Sequence, residues 1–272
     1  DVDDFNVLFL PWHQYMDYSW LPNRDKKLGN PAHAFFARPV IAGDNVEVPG
    51  IPTQSTNPIS KYMEFLLQNK DDVTNLGELL APLNVKYIIL VQEADYADYA
   101  FLYRQPELKV ELDRPGITLF RNMHTRARIY GVDSLVYISS LEEYLKLSQT
   151  QEVMEHLYIL GEGETQGQPR PMEEIKYEKK NPVRYRVEPS SRRWFIFTVP
   201  QEASTSNWTY KRQKSLANLG FMPAFTAAEA GEVTYTRFYR VYMPGYIVSS
   251  ITLLGLIFVY RWGCRLLRKD RP

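Results

Sequence analysis

Between Arg240 and Arg261 the chain runs for twenty residues without a charge, from Val241 to Tyr260. As a helix rising about 1.5 Å per residue, such a run matches the roughly 30 Å hydrocarbon core of a bilayer. Tyr242, Tyr246, Tyr260 and Trp262 stand near its ends, where amphipathic rings favour the headgroup level. Pro244 and Gly245 fall at its start, where a missing N–H costs little. The pattern predicts one transmembrane helix over 241–260, flanked on its far side by Arg261 and Arg265.

Shorter periods organise the rest. Phe5 to Leu10 reads as a strand, and a proline-punctuated irregular stretch follows to Pro58. Asn57 and Pro58 supply a helix cap and first position, after which Ile59, Tyr62, Met63, Leu66 and Leu67 form one apolar face at helical spacing. A short helix over Leu76 to Leu80 leads to a buried strand, Val85 to Val91. Leu108 to Leu112 and Ile117 to Arg121, joined by Asp113-Arg-Pro-Gly116, form a hairpin pattern. Ala127 to Val132 and Leu135 to Ile138 are two more strands, and Ser140-Leu-Glu-Glu143 has the spacing of a capping box opening a helix to Ser148.

The polar stretch Gly161 to Pro171, rich in Gly and Pro, is the candidate linker, and beyond it the pattern is mostly β. Val183, Tyr185 and Val187 alternate with charged residues. Trp194 to Val199 is apolar on both faces, as in a central strand, and Glu232 to Val241 alternates again up to the apolar run. The expected class is α+β. A mixed α/β region over 1–160 and a linker over 161–171 precede a β-sandwich-like module over 172–240, one transmembrane helix and a tail over 261–272.

Charge changes the picture. The formal net charge is zero, but the tail holds Arg261, Arg265, Arg268, Lys269 and Arg271 against Asp270, so it carries +4 and the remainder −4. Basic residues close to a span stay in the cytoplasm, which places residues 1–240 outside the cell membrane and the tail inside. The outer region is not a nucleic-acid binder by bulk electrostatics. The chain's only cysteine, Cys264, follows the span, so no disulfide supports the outer region. The first residues carry no signal peptide, so either a signal has been removed or, the favoured expectation, earlier membrane spans lie upstream as partners for this segment.

Enzyme motifs are not found: the chain has no GxGxxG, Walker loop, GxSxG or HExxH, and its four histidines lack metal spacing. No catalytic residue, metal site or cofactor is assigned within it. Asp1, Asp3 and Asp4 resemble metal-binding acidic clusters, but plain surface charge is the better explanation. Trp12, His13, Tyr15, Tyr18 and Trp20 fall within nine residues and enclose Asp17. Two readings of this loop stay open. The rings pack on their own domain, or they stack on sugar faces while the carboxylate takes sugar hydroxyls. Tyr15 to Trp20 also shares Asp-Tyr with the Trp-Trp-Asp-Tyr-Gly acceptor motif of oligosaccharyltransferases. Asn207-Trp-Thr209 is an N-glycosylation sequon, and Arg192-Arg193 and Lys211-Arg-Gln-Lys214 are basic stretches that suit lipid headgroups or plain solvation.

Leu83-Asn-Val-Lys-Tyr-Ile-Ile-Leu90 and Leu119-Phe-Arg-Asn-Met-His-Thr-Arg-Ala-Arg-Ile-Tyr-Gly131, with Pro39 to Asn45, resemble the C-terminal outer regions of polytopic GT-C-type glycosyltransferases and the related YfhO-like bacterial or archaeal membrane proteins. The resemblance implies an accessory outer domain of a membrane glycosyltransferase acting on cell-envelope glycans. Its donor would be a sugar on a polyprenyl phosphate, and its catalytic acid would lie in an early loop outside this segment. Membrane lipid and a lipid-linked sugar or envelope glycan are the implied partners. The alternative is a non-enzymatic, membrane-anchored binding or structural module of the envelope.

Overall fold

A computed structural model describes residues 4–23, 26–46, 53, 55–125, 127–198, 207–227 and 229–269. All five residues of strand β1 (Asn6–Leu10) are buried. Leu8 and Leu10 enter one hydrophobic cluster, Val7 and Phe9 another; this is the period-two division of a strand covered on both faces. β1 pairs in parallel with β4 (Val40–Ile41) and β5 (Val85–Val91). β7 (Ile117–Asn122) joins β5 antiparallel and closes a hairpin with β6 (Leu108–Arg114). Gly116 takes φ +91° at the hairpin turn, a conformation L-residues rarely adopt. The sheet order is β4-β1-β5-β7-β6.

The crossover between β1 and β5 holds helices α1 (Ala32–Phe35), α2 (Pro58–Gln68) and α3 (Leu76–Leu80). Asn57 Oδ1 accepts the Ile59 N–H at 3.0 Å, and Ile59, Tyr62, Met63 and Leu66 are buried, as the sequence spacing predicts. In α4 (Leu141–Ser148) the cap forms differently from a reciprocal box. Ser140 Oγ accepts the Glu143 N–H, but the Glu143 carboxylate reaches one residue further back, to the Ser139 N–H at 2.7 Å.

A seven-stranded sheet lies beyond these helices, in the order β11 (Glu173–Glu174), β8 (Ile129–Val132), β14 (Trp194–Phe197), β18 (Met222–Thr226), β17 (Leu216–Asn218), β10 (His156–Leu160), β9 (Ser134–Ile138). β14 sits between β8 and β18. Trp194 and Ile196 face the cluster holding α2, α3 and the first sheet, and Phe195 and Phe197 face the other way. That second face packs on a five-stranded antiparallel sheet made of β12 (Tyr177–Asn181), β13 (Arg184–Val187), β19 (Gly231–Tyr235), β15 (Trp208–Tyr210) and β16 (Gln213–Lys214). Phe197 meets Trp208 edge-on at 4.9 Å between ring centroids, and Phe195 meets Tyr210 at the same distance. These two sheets form the sandwich, and the α+β class holds.

Two elements differ from the sequence pattern. The segment 161–171, expected to separate two modules, runs along the seven-stranded sheet, where Gln166 and Leu135 exchange backbone hydrogen bonds of 2.8 and 2.9 Å. That sheet mixes strands from before and after the segment. β14 is apolar on both faces and needs a paired neighbour on each edge, and β8 provides one of them. The strand expected over 232–241 stops at Tyr235. The chain turns helical at Thr236, passes through a π-type turn at Phe238–Tyr242 and continues as α5 (Met243–Lys269), past the expected end of the span. An unpaired apolar run satisfies its own backbone groups only as a helix. From Phe238 to Trp262 this helix is long and apolar enough to cross a membrane, and none of it is buried.

Candidate functional site

The aromatic loop begins where β1 ends, and its rings divide. Trp12 is 8% exposed and belongs to the central cluster, and its N–H donates to the Tyr99 hydroxyl at 2.8 Å. It is a packing residue, not a ligand contact, because β1 carries it straight into the core. Met16 is buried beneath the loop, and Tyr15 and Met16 (β2) pair with Leu28 and Gly29 (β3). Tyr18 is half-buried, with its hydroxyl 3.9 Å from Met16 Sδ. Burial, followed by the nearby Glu93 carboxylate, raises the Tyr18 pKa. Its ring and the Trp20 ring lie 5.4 Å apart at 42°. Tyr15 and Trp20 remain 45% and 64% exposed.

Fixed contacts hold this loop. The Glu93 carboxylate accepts from the Ser19 N–H at 2.7 Å and the Ser19 hydroxyl at 2.9 Å. His13 Nε2 meets Asp95 Oδ1 at 2.8 Å, and Asn30 Nδ2 donates to the His13 carbonyl. Gly43 backs onto the loop so closely that a Cβ there would stand 2.6 Å from the His13 nitrogen. An open recess of about 300 Å³ results, with His13, Tyr15, Met16, Asp17, Lys27 and Asp95 on its walls. Asp17 is exposed, 4.0 Å from the Lys27 ammonium. The structure therefore places Tyr15 and Asp17 on the recess wall, sets Tyr18 against Trp20 as a separate ring pair of the same loop, and removes Trp12. Lys27 joins them through strand pairing and Asp95 through its contact with His13 across 82 positions, which no local pattern announces.

Two other polar clusters lie elsewhere. Asp4, read in sequence with Asp1 and Asp3 as surface charge or metal ligand, grips the buried Arg128 guanidinium through both carboxylate oxygens. Asp1 and Asp3 lie outside the described residues. Burial pushes the Asp4 pKa up, but the Arg128 hydrogen bonds and charge, aided by the Tyr177 hydroxyl at 2.9 Å, bring it below the usual value. Among the described residues no group of three or more His, Cys, Asp or Glu could hold a metal ion. In a recess of about 680 Å³, Ser134 and His156 meet at 2.9 Å because β9 and β10 align them in register. Burial lowers the His156 pKa. Ser134 is fully enclosed, so its hydroxyl joins two strands rather than facing a substrate.

The remaining expected positions sit at opposite ends of the sandwich. Asn207 is half-buried beside the start of the helix, with its carbonyl accepting from Thr236 Oγ1 at 3.0 Å. Tyr242, Tyr246, Tyr260 and Trp262 are exposed along the helix, Arg261 follows Tyr260, and Arg265 falls in its last turns. Arg192 pairs with Asp133 at 2.8 Å and Glu173 at 3.2 Å, and Lys211 with Glu229 at 2.8 Å. These basic groups are neutralised at the end of the sandwich remote from the helix. A scan against protein-family models, a search of curated proteins and a search of solved structures each return no match to this chain.

Proposed function

We propose that this chain is the membrane-anchored outer part of a glycosyltransferase-like protein of the cell envelope, and that its aromatic loop holds a glycan. The observation that carries the reading is two large exposed rings on one loop pinned by Glu93 and Asp95: Tyr15 with Asp17 on the recess wall, and Trp20 against Tyr18. Exposed flat rings offer an apolar face to a sugar ring, and Asp17, His13 and Asp95 around the recess supply acceptors and a donor for its hydroxyls. Pinning the backbone in advance removes ordering cost from binding. The helix from Phe238 to Trp262 serves as the anchor, its basic C-terminal end in the cytoplasm. A polyprenyl-phosphate sugar or its acceptor glycan is the ligand class that the resemblance implies, with the reacting groups outside this chain.

The test uses soluble hexose and N-acetylhexosamine oligomers, with binding read from the intrinsic fluorescence of the full chain in detergent. Tyr15→Ala and Trp20→Ala should each weaken binding by about tenfold. Both should leave the denaturation midpoint nearly unchanged, since surface substitutions act within about 0.5 kcal/mol. Trp12→Ala is not a valid probe, because it opens the core. Unchanged affinity in the Tyr15 and Trp20 variants would remove the loop from the site.

A further inference from the structure

The fold collects positive charge from separate elements at one end of the sandwich. β19 runs toward the helix and β13 pairs with it antiparallel, so Arg184 stands opposite Thr234 and the β12–β13 turn lies beside the helix start. The Tyr235 N–H donates to the Val183 carbonyl at 2.9 Å, which fixes the turn at the level of residue 235. Lys179, Lys180 and Arg184 come from this hairpin, and Arg237 and Arg240 from the first helical turns. The Arg184 guanidinium sits 5.5 Å from the Tyr239 ring centre, tying hairpin to helix.

The carboxylates facing this group are few. Glu178 pairs with Lys180 at 2.6 Å, and Glu232 with Arg184 at 3.5 Å. Asp4 feels Lys179 but is already matched by Arg128. Among the described residues Lys179, Arg237 and Arg240 have no carboxylate within ion-pair distance; Lys179 and Arg237 lie over the Tyr185 and Tyr242 rings. Three unmatched cations therefore surround the base of an apolar helix.

Helix geometry sets their height. If the uncharged run from 241 to 260 fills the hydrocarbon core, Arg240 marks its boundary, and residue 235 lies about 7.5 Å further out. The headgroup layer is itself about 5–7 Å thick on each side. The hairpin turn then rests at the outer edge of the headgroups, within the roughly 8–10 Å reach of their charge.

We propose that the β12–β13 hairpin and the first turns of the helix form a basic collar that seats the folded domain on an anionic phospholipid surface. The proposal rests on reading the helix as a membrane anchor. The collar fixes the tilt of the domain, where a lone helix would leave it to swivel. It also takes the headgroup role that the sequence offers to Arg192, Arg193 and Lys211, which the fold directs away from the helix.

The test incorporates the full chain into nanodiscs of phosphatidylcholine, or of phosphatidylcholine with phosphatidylglycerol. In a Cys264→Ser background, Pro182→Cys carries a fluorophore, and a headgroup nitroxide lipid quenches it. Quenching should be at least about twofold stronger in the anionic discs, and 0.5 M salt should erase the difference, as expected for screened headgroup contacts. Lys179→Gln with Lys180→Gln should remove it too, whereas Lys211→Gln should leave it intact. Equal quenching in both lipids, with the chain embedded, overturns the collar and leaves the anchor standing. Failure of the chain to enter either disc overturns both.

Discussion

Arg128 is among the largest fully buried side chains, and its partner is local to nothing: Asp4 lies 124 positions away. The guanidinium also donates to the Thr198 carbonyl at 2.8 Å, so one cation ties the start of the chain to the end of β14. A buried pair of this kind adds little over a well-packed apolar pair, but removing one partner strands the other. Arg128→Ala should therefore destabilise the fold by about 3–5 kcal/mol, measured as the shift in urea midpoint at constant slope. The pH dependence follows from the direction of the Asp4 shift. Its pKa is lower in the folded state, so the unfolded state binds the proton more readily. The contribution is complete above the unfolded value near 4 and is lost as pH falls through the folded value. Asp133, with burial opposed and outweighed by Arg192 and the Arg193 N–H, is shifted the same way. Stability measured from pH 5 down to 2 should fall, and Asp4→Asn should flatten part of that fall. An acid limb as steep in the variant as in the native chain would assign the pH dependence to other groups.

At the scale of elements, the segment 161–171 shows what local pattern can and cannot convey. Its glycines and prolines read as a linker, but Gly167 takes φ +77° where an added Cβ would stand 1.9 Å from the Asp133 carbonyl oxygen, and Gly163 lies against the Tyr137 ring. Glycine there serves close approach, and composition alone does not distinguish approach from flexibility. Gly167→Ala combines a strained φ with that clash, so it should cost about 1–3 kcal/mol and increase proteolytic cutting between 161 and 171. Unchanged cutting would mean that the segment is not docked. The elements that were legible carry their signal in adjacent residues: the α2 cap at Asn57, the apolar stripe through Leu66, the two-faced strand at Trp194 to Phe197 and the uncharged run after Arg240. The candidate site was half legible. The rings of Tyr15, Tyr18 and Trp20 could be grouped by proximity in sequence, but Trp12 shares their composition and is claimed by the core. Asp95, which arrives from a separate segment to meet His13, had no local signal.

For the whole molecule, the shared sheet has a mechanical consequence. β8, β9 and β10 precede the glycine-rich segment and β11, β14, β17 and β18 follow it, yet all seven strands hydrogen-bond in one sheet. Its two faces bury Trp194 and Ile196 on one side and Phe195 and Phe197 on the other. The cores on either side therefore meet through a single layer of strands, and neither can melt without exposing the back of the other. Two independently stable modules would give separate transitions; this topology predicts one. Trp194 and Trp208 report on the seven- and five-stranded sheets. Their fluorescence and the far-ultraviolet circular dichroism of the sheet-bearing region should change at a common urea midpoint. Cutting the chain between 161 and 171 should then leave the pieces associated, since β14 still needs β8 along its edge. If residues 172–235 instead fold alone after cleavage, with a midpoint of their own, the pairing of β8 with β14 contributes too little to couple the two cores.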